Sequence, residues 1–345
     1  MIRTLKPREA KHIIIDRVRY SRERLAMTSC GQVVGTDEAG YGPNLGPLVV
    51  SATSWSLPDG AAPDDLWSLL ADAVSAQGPV AGRLHIADSK QVYSPSRGLA
   101  ELERSVLTLL RLASVPASTL SELRAALTCW RCFPAAEFSA PWYSQDDIIL
   151  PVVVDPDRVT TDSDRLRTAL QAAGVRLLGI RSDVVSESRF NRLTDAVGSK
   201  GAVLTEATLI LARELRHCES SRSTLVLCDK HGGRNRYAGV LSHLLDDVVV
   251  QTAAEGREQS IYFAGTTEFR FETKAERHLP VAAASMVSKY VRELSMLAFN
   301  QFWRRHQPGL RETKGYPQDA KRFRADIAAA QRALVLDDDL LWRRR

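Results

Sequence analysis

The chain has 345 residues, is 44% hydrophobic and carries a net charge of +5 with a pI near 9.0, enough apolar material for one large packed domain or two ordinary ones. No apolar run approaches the ~18 residues of a membrane span, and the N-terminal stretch lacks the apolar core of a secretion signal, so a cytoplasmic protein without membrane contact is the expectation. Five cysteines, an odd number, argue against a disulfide framework.

The charge is unevenly placed. Residues 1–30 hold eight Lys/Arg against three acids and residues 301–345 eleven against six, so each end is +5 and the middle is −5. Basic ends around an acidic centre fit a polyanion gripped by its backbone while carboxylates hold cations; ordinary solvated tails give the same count. Residues 1–30, with Ile13, Ile14, Ile15 and Val18 among bases, form a short amphipathic helix or a basic arm.

The first informative stretch is Val33-Val34-Gly35-Thr36-Asp37-Glu38-Ala39-Gly40-Tyr41-Gly42-Pro43, continuing to Gly46-Pro47-Leu48-Val49-Val50. It reads as strand, tight polar turn, strand. The glycine spacing suggests a dinucleotide loop, but that loop must open a helix, and Pro43, Pro47 and the β-branched run after them favour a second strand. Adjacent strand residues point to opposite faces, so Asp37 and Glu38 can share a metal only if the strand is ending there; a plain hairpin with solvated acids is the other reading.

Asp64 or Asp65 caps a helix carrying Leu66, Leu69, Leu70 and Val74. Asp88-Ser89-Lys90 closes the next short segment, and a helix from Ser94 to about Ala113 carries the stripe Leu99, Leu102, Val106, Leu109 and Leu110. Residues 114–180 are the least regular, with prolines breaking the periodicity and Leu150–Val154 as one strand. Cys129-Trp130-Arg131-Cys132 has metal or redox spacing, but no further ligands complete it. A helical stretch over 187–217 breaks near Gly198 and Gly201. Thr224–Cys228 is a buried strand with Asp229 at its C-terminal edge, where sites in open α/β sheets lie. Strands follow at 248–252 and 269–273, then a helix over about 281–304 with Ser285, Lys289 and Arg292 on one polar, basic face. Glu293 lies one turn beyond Lys289, the spacing of a helix salt bridge. A turn at 313–317 precedes a last helix over 319–334.

Five of these stretches, in order, make the sequence similar to the type 2 ribonuclease H family, the branch that includes the type 2 and type 3 bacterial enzymes. They are Gly35–Pro43 with Gly46–Val50, Asp88-Ser89-Lys90, Val226-Leu227-Cys228-Asp229, Ala283–Lys289 to Glu293, and Lys314-Gly315-Tyr316-Pro317.

The resemblance implies an α/β ribonuclease H-like fold: a mixed central sheet with helices on both faces and a helical C-terminal extension. It divides the chain into a basic segment 1–30, a catalytic domain 31–317 with an insertion at about 114–180, and a C-terminal helix and basic tail 318–345. It implies endonucleolytic cleavage of the RNA strand of RNA–DNA hybrids, leaving 5′-phosphate and 3′-hydroxyl ends, with two Mg²⁺ or Mn²⁺ held by Asp37, Glu38, Asp229 and Glu293. Four carboxylates from separate elements suit hard cations and two-metal hydrolysis. The Gly40 and Gly42 backbone would face the ribose 2′-hydroxyl, Lys90, Ser285 and Lys289 would touch or neighbour phosphate, and Tyr316 would pack on the next deoxyribose.

Tyr41 stands where type 2 enzymes carry Arg, so substrates with several consecutive ribonucleotides are expected over a single embedded one. Glu293 replaces the type 2 Asp, as in type 3 enzymes, and the histidine usually found shortly after the Gly-Tyr motif is absent. A nucleic-acid-binding relative that does not cleave, or that cleaves another substrate, is the alternative function.

Overall fold

The computed structural model describes residues 31–128, 138–145, 147–216, 223–245 and 248–344. The basic segment 1–30 and the pair Cys129/Cys132 lie outside the described residues.

Strand β1 (Gln32–Ala39) is the axis of the sheet, and β2 (Leu48–Ser56) returns antiparallel beside it, pairing Gln32 with Ser56 and Ala39 with Val49. Two short strands, β3 (Val74–Ser75) and β4 (Leu84–His85), pair only with each other. The main sheet adds β5 (Arg176–Val185), β6 (Thr224–Asp229), β7 (Val250–Glu255), β8 (Gln259–Ala264) and β9 (Thr267–Glu272) in the order β5-β2-β1-β6-β9-β8-β7. β5 is antiparallel to β2, β6 is parallel to β1, and β9 is parallel to β6. The sheet is therefore mixed, and it changes from antiparallel to parallel at β1.

Alternate side chains of the central strands feed two cores, as the period of two requires. Val33, Val49, Leu225 and Leu227 pack with helices Ala100–Leu112 and Leu279–His306 on one face. Val34, Val50, Val226 and Phe271 pack with helices Lys200–Leu215 and Ala238–Leu244 on the other. A third cluster joins Leu45, Trp142, Phe299, Trp303 and Phe323 to helices Pro317–Ala333 and Asp338–Leu341. Helices on both faces and a helical C-terminal extension are thus present as expected. Among the described residues, no helix is long and apolar enough to cross a membrane.

The long helix Leu279–His306 crosses β1 at very close range. A Cβ on Gly35 would lie 2.3 Å from the Pro280 carbonyl carbon, so only glycine lets the helix start there. Its alanines 282–284 keep that approach close along the next turn, and all three are fully buried.

The structure corrects the expectation for 114–180. This segment holds helices Leu120–Leu127 and Pro156–Ala172 and supplies edge strand β5. Pro156 starts a helix rather than breaking one, because the first helical position needs no N–H and Asp155 caps it through Asp157 N. Leu150–Val154 is not a strand: the N–H groups of Val152, Val153 and Val154 all donate to the buried Glu103 carboxylate, at 2.7, 2.7 and 2.9 Å. The stretch expected to be helical over 187–217 is two helices, Glu187–Val197 and Lys200–Leu215, separated at Gly198 with φ +79°.

Candidate functional site

The site lies where β1 and β6 part company. Their parallel pairing ends at Thr36↔Cys228, whereas β1 continues on its β2 side through Asp37↔Ser51 and Glu38↔Val50. As the sequence suggested, the strand ends just past the two acids, at Ala39 before Gly40, and it has already lost its β6 neighbour there. Asp229, the last residue of β6, faces the gap that results.

Asp37 continues the Val33–Gly35 row toward the long helix. Ser288 Oγ donates to the Asp37 carbonyl at 3.0 Å, and Ser285 hydrogen-bonds the Asp37 carboxylate. Ser285 Oγ also lies 3.1 Å from Ser89 Oγ and accepts from Ser89 N at 3.3 Å. One buried hydroxyl thus ties the Asp88-Ser89-Lys90 segment to β1. Asp88 caps the short helix Ser89–Val92 through Lys90 N, which sets Lys90 beside the acids.

A further carboxylate that sequence reasoning missed, Glu276, joins them from the single turn Ala275–Arg277 between β9 and the long helix. It looks like an ordinary acid near a helix N-terminus, and its place is legible only through β9, which brings it to the same sheet edge as Asp229. The Asp229 carboxylate accepts from Ala275 N at 3.2 Å, fixing that turn against β6.

Burial raises the proton affinity of all four acids, and neighbouring acids add to it for Asp37, Glu38 and Glu276. Burial, then the Glu38 charge, pushes Asp37 well above the usual carboxylate range. Burial and the Asp229 charge push Glu38 up to about 7, and burial raises Asp229. Burial followed by the Asp229 and Asp88 charges raises Glu276. Burial alone would depress Lys90, but Asp88, Glu276, Asp37 and Glu38 together hold it above its ordinary value. Among the described residues no three His, Cys, Asp or Glu side chains already stand close enough to form a metal cage.

Glu293 has different partners. Its carboxylate accepts from Lys289 Nζ at 2.7 Å, Lys314 Nζ at 3.1 Å and Tyr93 Oη at 2.7 Å. Burial would raise its pKa, but Lys289, Lys314 and Tyr93 outweigh burial and hold it down at about 2. It is a satisfied counter-ion, the helix salt bridge that its spacing allowed. Lys289 also lies 4.8 Å from the centroid of the Tyr93 ring. Arg292 does not extend a basic face with Lys289; it is buried and donates to the carbonyls of Leu45 and Lys314.

The glycine loop divides its labour. Gly40 sits at φ +91°, where an added Cβ would lie 2.5 Å from Arg292 Nε and 2.6 Å from the Pro47 carbonyl, so it serves the fold. Gly42 is exposed with open space where a Cβ would point, which leaves its backbone approachable. Tyr41 lies under Lys200 Nζ, 4.5 Å from its ring centroid, and its hydroxyl is aimed at Gly232. Asn44 N donates to the Gly315 carbonyl at 2.8 Å, so the Lys314–Pro317 turn docks on this loop and presents Tyr316, 55% exposed, on the same side.

Beside Glu276 and Lys90 opens a cleft of about 1180 Å³. Arg83, Lys90, Lys274 and Arg277 line it against Asp88 and Glu276, so bases outnumber acids.

Fold and site together define an α/β protein with a carboxylate cluster at a splayed sheet edge, flanked by a basic cleft and lysines. No family model and no curated protein matches the chain. Among solved structures it is similar to the ribonuclease H2 from Pyrococcus horikoshii OT3, at 15% identity over 90% of this chain and 92% of that one, with a TM-score of 0.47. It is also similar to Aquifex aeolicus RNase H3, at 16% identity over 92% and 76% with a TM-score of 0.38. A third is Bst-RNase HIII in complex with Mn²⁺, at 15% identity over 89% and 64%, again with a TM-score of 0.38. Likenesses this distant assign no activity, which has to come from the residues of this chain.

Proposed function

We propose that this chain is a divalent-metal-dependent endonuclease that cleaves the RNA strand of RNA–DNA hybrids, leaving 5′-phosphate and 3′-hydroxyl ends. The observation that carries it is the gathering of Asp37, Glu38, Asp229 and Glu276 at one sheet edge, with proton affinities raised and Lys90 as the cation among them. Mere binding of a polyanion is opposed by such a cluster, whereas hard cations are suited by it. The donor chemistry, carboxylate oxygens from β1, β6 and the turn after β9, is the kind Mg²⁺ or Mn²⁺ takes, and Asp37, Glu38, Asp229 and Glu276, in place of Glu293, are the residues that would hold it. Held by these carboxylates, two such ions would supply activation of a water and stabilisation of the leaving 3′ oxygen.

The chain's own residues hold the substrate in place. Ser285 keeps the Asp37 carboxylate oriented, and Lys90 offers a cation to the phosphate nearest the acids. The exposed Gly42 backbone suits a ribose 2′-hydroxyl, the group that separates RNA from DNA. Tyr316 offers an exposed ring to a neighbouring sugar. Lys289 and Lys314, held as a pair by Glu293, offer donors to a further phosphate.

The test is incubation of the purified protein with an end-labelled hybrid in Mn²⁺ or Mg²⁺, beside duplex DNA and double-stranded RNA. Cleavage confined to the RNA strand of the hybrid is the expected result. Hybrid binding without cleavage in either metal would replace this reading with a non-catalytic one.

A further inference from the structure

The carbonyls of the glycine loop are held from beneath by an arginine distant in sequence. Residues 337–344 run along the underside of the loop: Arg343 N donates to the Asn44 carbonyl at 2.8 Å, and Asn44 Nδ2 donates back to the Arg343 carbonyl at 3.3 Å. Asn191 fastens the same segment, donating to the Trp342 carbonyl at 2.9 Å and accepting from Arg344 N at 2.7 Å. Leu341 is fully buried in the third core cluster. The Arg343 guanidinium, 1% exposed, lies over the Phe190 ring and donates through Nη2 to the carbonyls of Gly40, at 2.6 Å, and Pro43.

Burying a guanidinium is costly, and this one is only partly satisfied, since Nε and Nη1 have no partner among the described residues. A well-packed apolar side chain would serve stability better. What the guanidinium does uniquely is fix the direction of two peptide planes. In a trans peptide the C=O and the following N–H point opposite ways. The Pro43 carbonyl is turned inward to Arg343, and the next N–H, of Asn44, duly points away and meets Gly315. By the same geometry the inward Gly40 carbonyl turns the Tyr41 N–H outward, next to the open Gly42. That N–H has no partner among the described residues.

We infer that Arg343 is a positioning residue for ribose recognition: by holding the Gly40 and Pro43 carbonyls inward, it aims the Tyr41 N–H at the 2′-hydroxyl of the bound ribonucleotide. This rests on the hybrid-binding reading above. It makes the segment that carries Arg343 a support of the substrate site, acting through the loop carbonyls it holds.

The experiment measures binding in an Asp229→Asn background, so that nothing is cut, to a hybrid and to an all-DNA duplex of the same sequence. With Arg343→Met the preference for hybrid is expected to fall by about tenfold, the worth of one hydrogen bond, through hybrid affinity alone. Low-millimolar guanidinium added to Arg343→Ala restores it. Should these variants fail to fold, Arg343→Lys, which keeps the charge but not the fork, gives an intermediate preference at unchanged DNA affinity. If hybrid and DNA affinity fall together in step with Tm, or if the hybrid preference survives in Arg343→Met, Arg343 is only structural and the inference is overturned. If the parent protein itself binds hybrid no better than DNA, it is the functional reading that fails.

Discussion

Four clustered acids and a fifth, Glu293, face opposite electrostatic situations in this molecule. Asp37, Glu38, Asp229 and Glu276 gather with Lys90 as their main protein cation and have raised proton affinities. Glu293 has two lysines and a tyrosine hydroxyl, and its pKa is held at about 2. All are carboxylates out of full contact with water, yet one set is short of positive charge and the other is already neutralised. The partners of a carboxylate in space, rather than its place in a motif, decide whether it holds a proton or a fixed negative charge.

The sharpest way to break that comparison is by turnover. Asp37→Asn and Asp229→Asn are each expected to reduce hybrid cleavage by at least about a hundredfold with binding largely kept, because each removes charge with little change of shape. Glu276→Gln should fall in the same group, whereas Glu293→Gln should raise KM more than it lowers kcat. A Glu293→Gln loss as deep as that of Asp37→Asn, with Glu276→Gln near wild type, would return Glu293 to the metal site.

Stability separates the two groups by sign. A carboxylate whose folded pKa is raised costs stability when charged, so Asp37→Asn should stabilise the metal-free protein at pH 7, by on the order of 1 kcal/mol. For Glu38 the folded state gains stability as pH falls from about 7 toward its unfolded value of 4.5. Glu293 runs the other way: its contribution is complete above 4.5 and is lost as pH falls through about 2. Glu293→Gln should therefore destabilise at pH 7, by about 2 kcal/mol, since it leaves two lysines facing a neutral amide. Denaturant melts of both variants with metal removed would show the opposite shifts.

The cleft beside Glu276 gives a smaller effect. Arg83 and Lys274 line it, and the double substitution Arg83→Gln/Lys274→Gln should lower the slope of log affinity against log salt by about 2 on a long hybrid, near one per lost phosphate contact. An unchanged slope would take the nucleic acid out of the cleft.

The smallest effect concerns Tyr41. Its ring is covered by Lys200 and its hydroxyl rests against Gly232, so it packs over the turn while the backbone around it stays approachable. Tyr41→Arg should change the ratio of rates on an RNA run and on a single embedded ribonucleotide by less than about threefold. A larger narrowing of that ratio would restore Tyr41 to the choice of substrate.

The sequence by itself determined what local patterning can encode. Alternating and continuous apolar runs placed β1, β2 and β6, and helical periodicity placed the long helix. The edge rule placed Asp229, and the order of five motifs placed Asp37, Glu38, Lys90 and Ser285 in one neighbourhood. Local patterning failed where a distant partner supplied the hydrogen bonds. Val152–Val154 read as a strand until Glu103 took their N–H groups, and Pro156 read as a break until Asp155 capped the helix it starts. Only the tertiary structure shows Glu276 beside the other acids and Glu293 paired with Lys314 and Tyr93, because those contacts with Glu293 lie 21 and 200 residues away along the chain. The same holds for Arg343, some 300 residues from the loop it braces. A buried ion's role is set by the groups that surround it in space, and spacing along the chain carries no record of them.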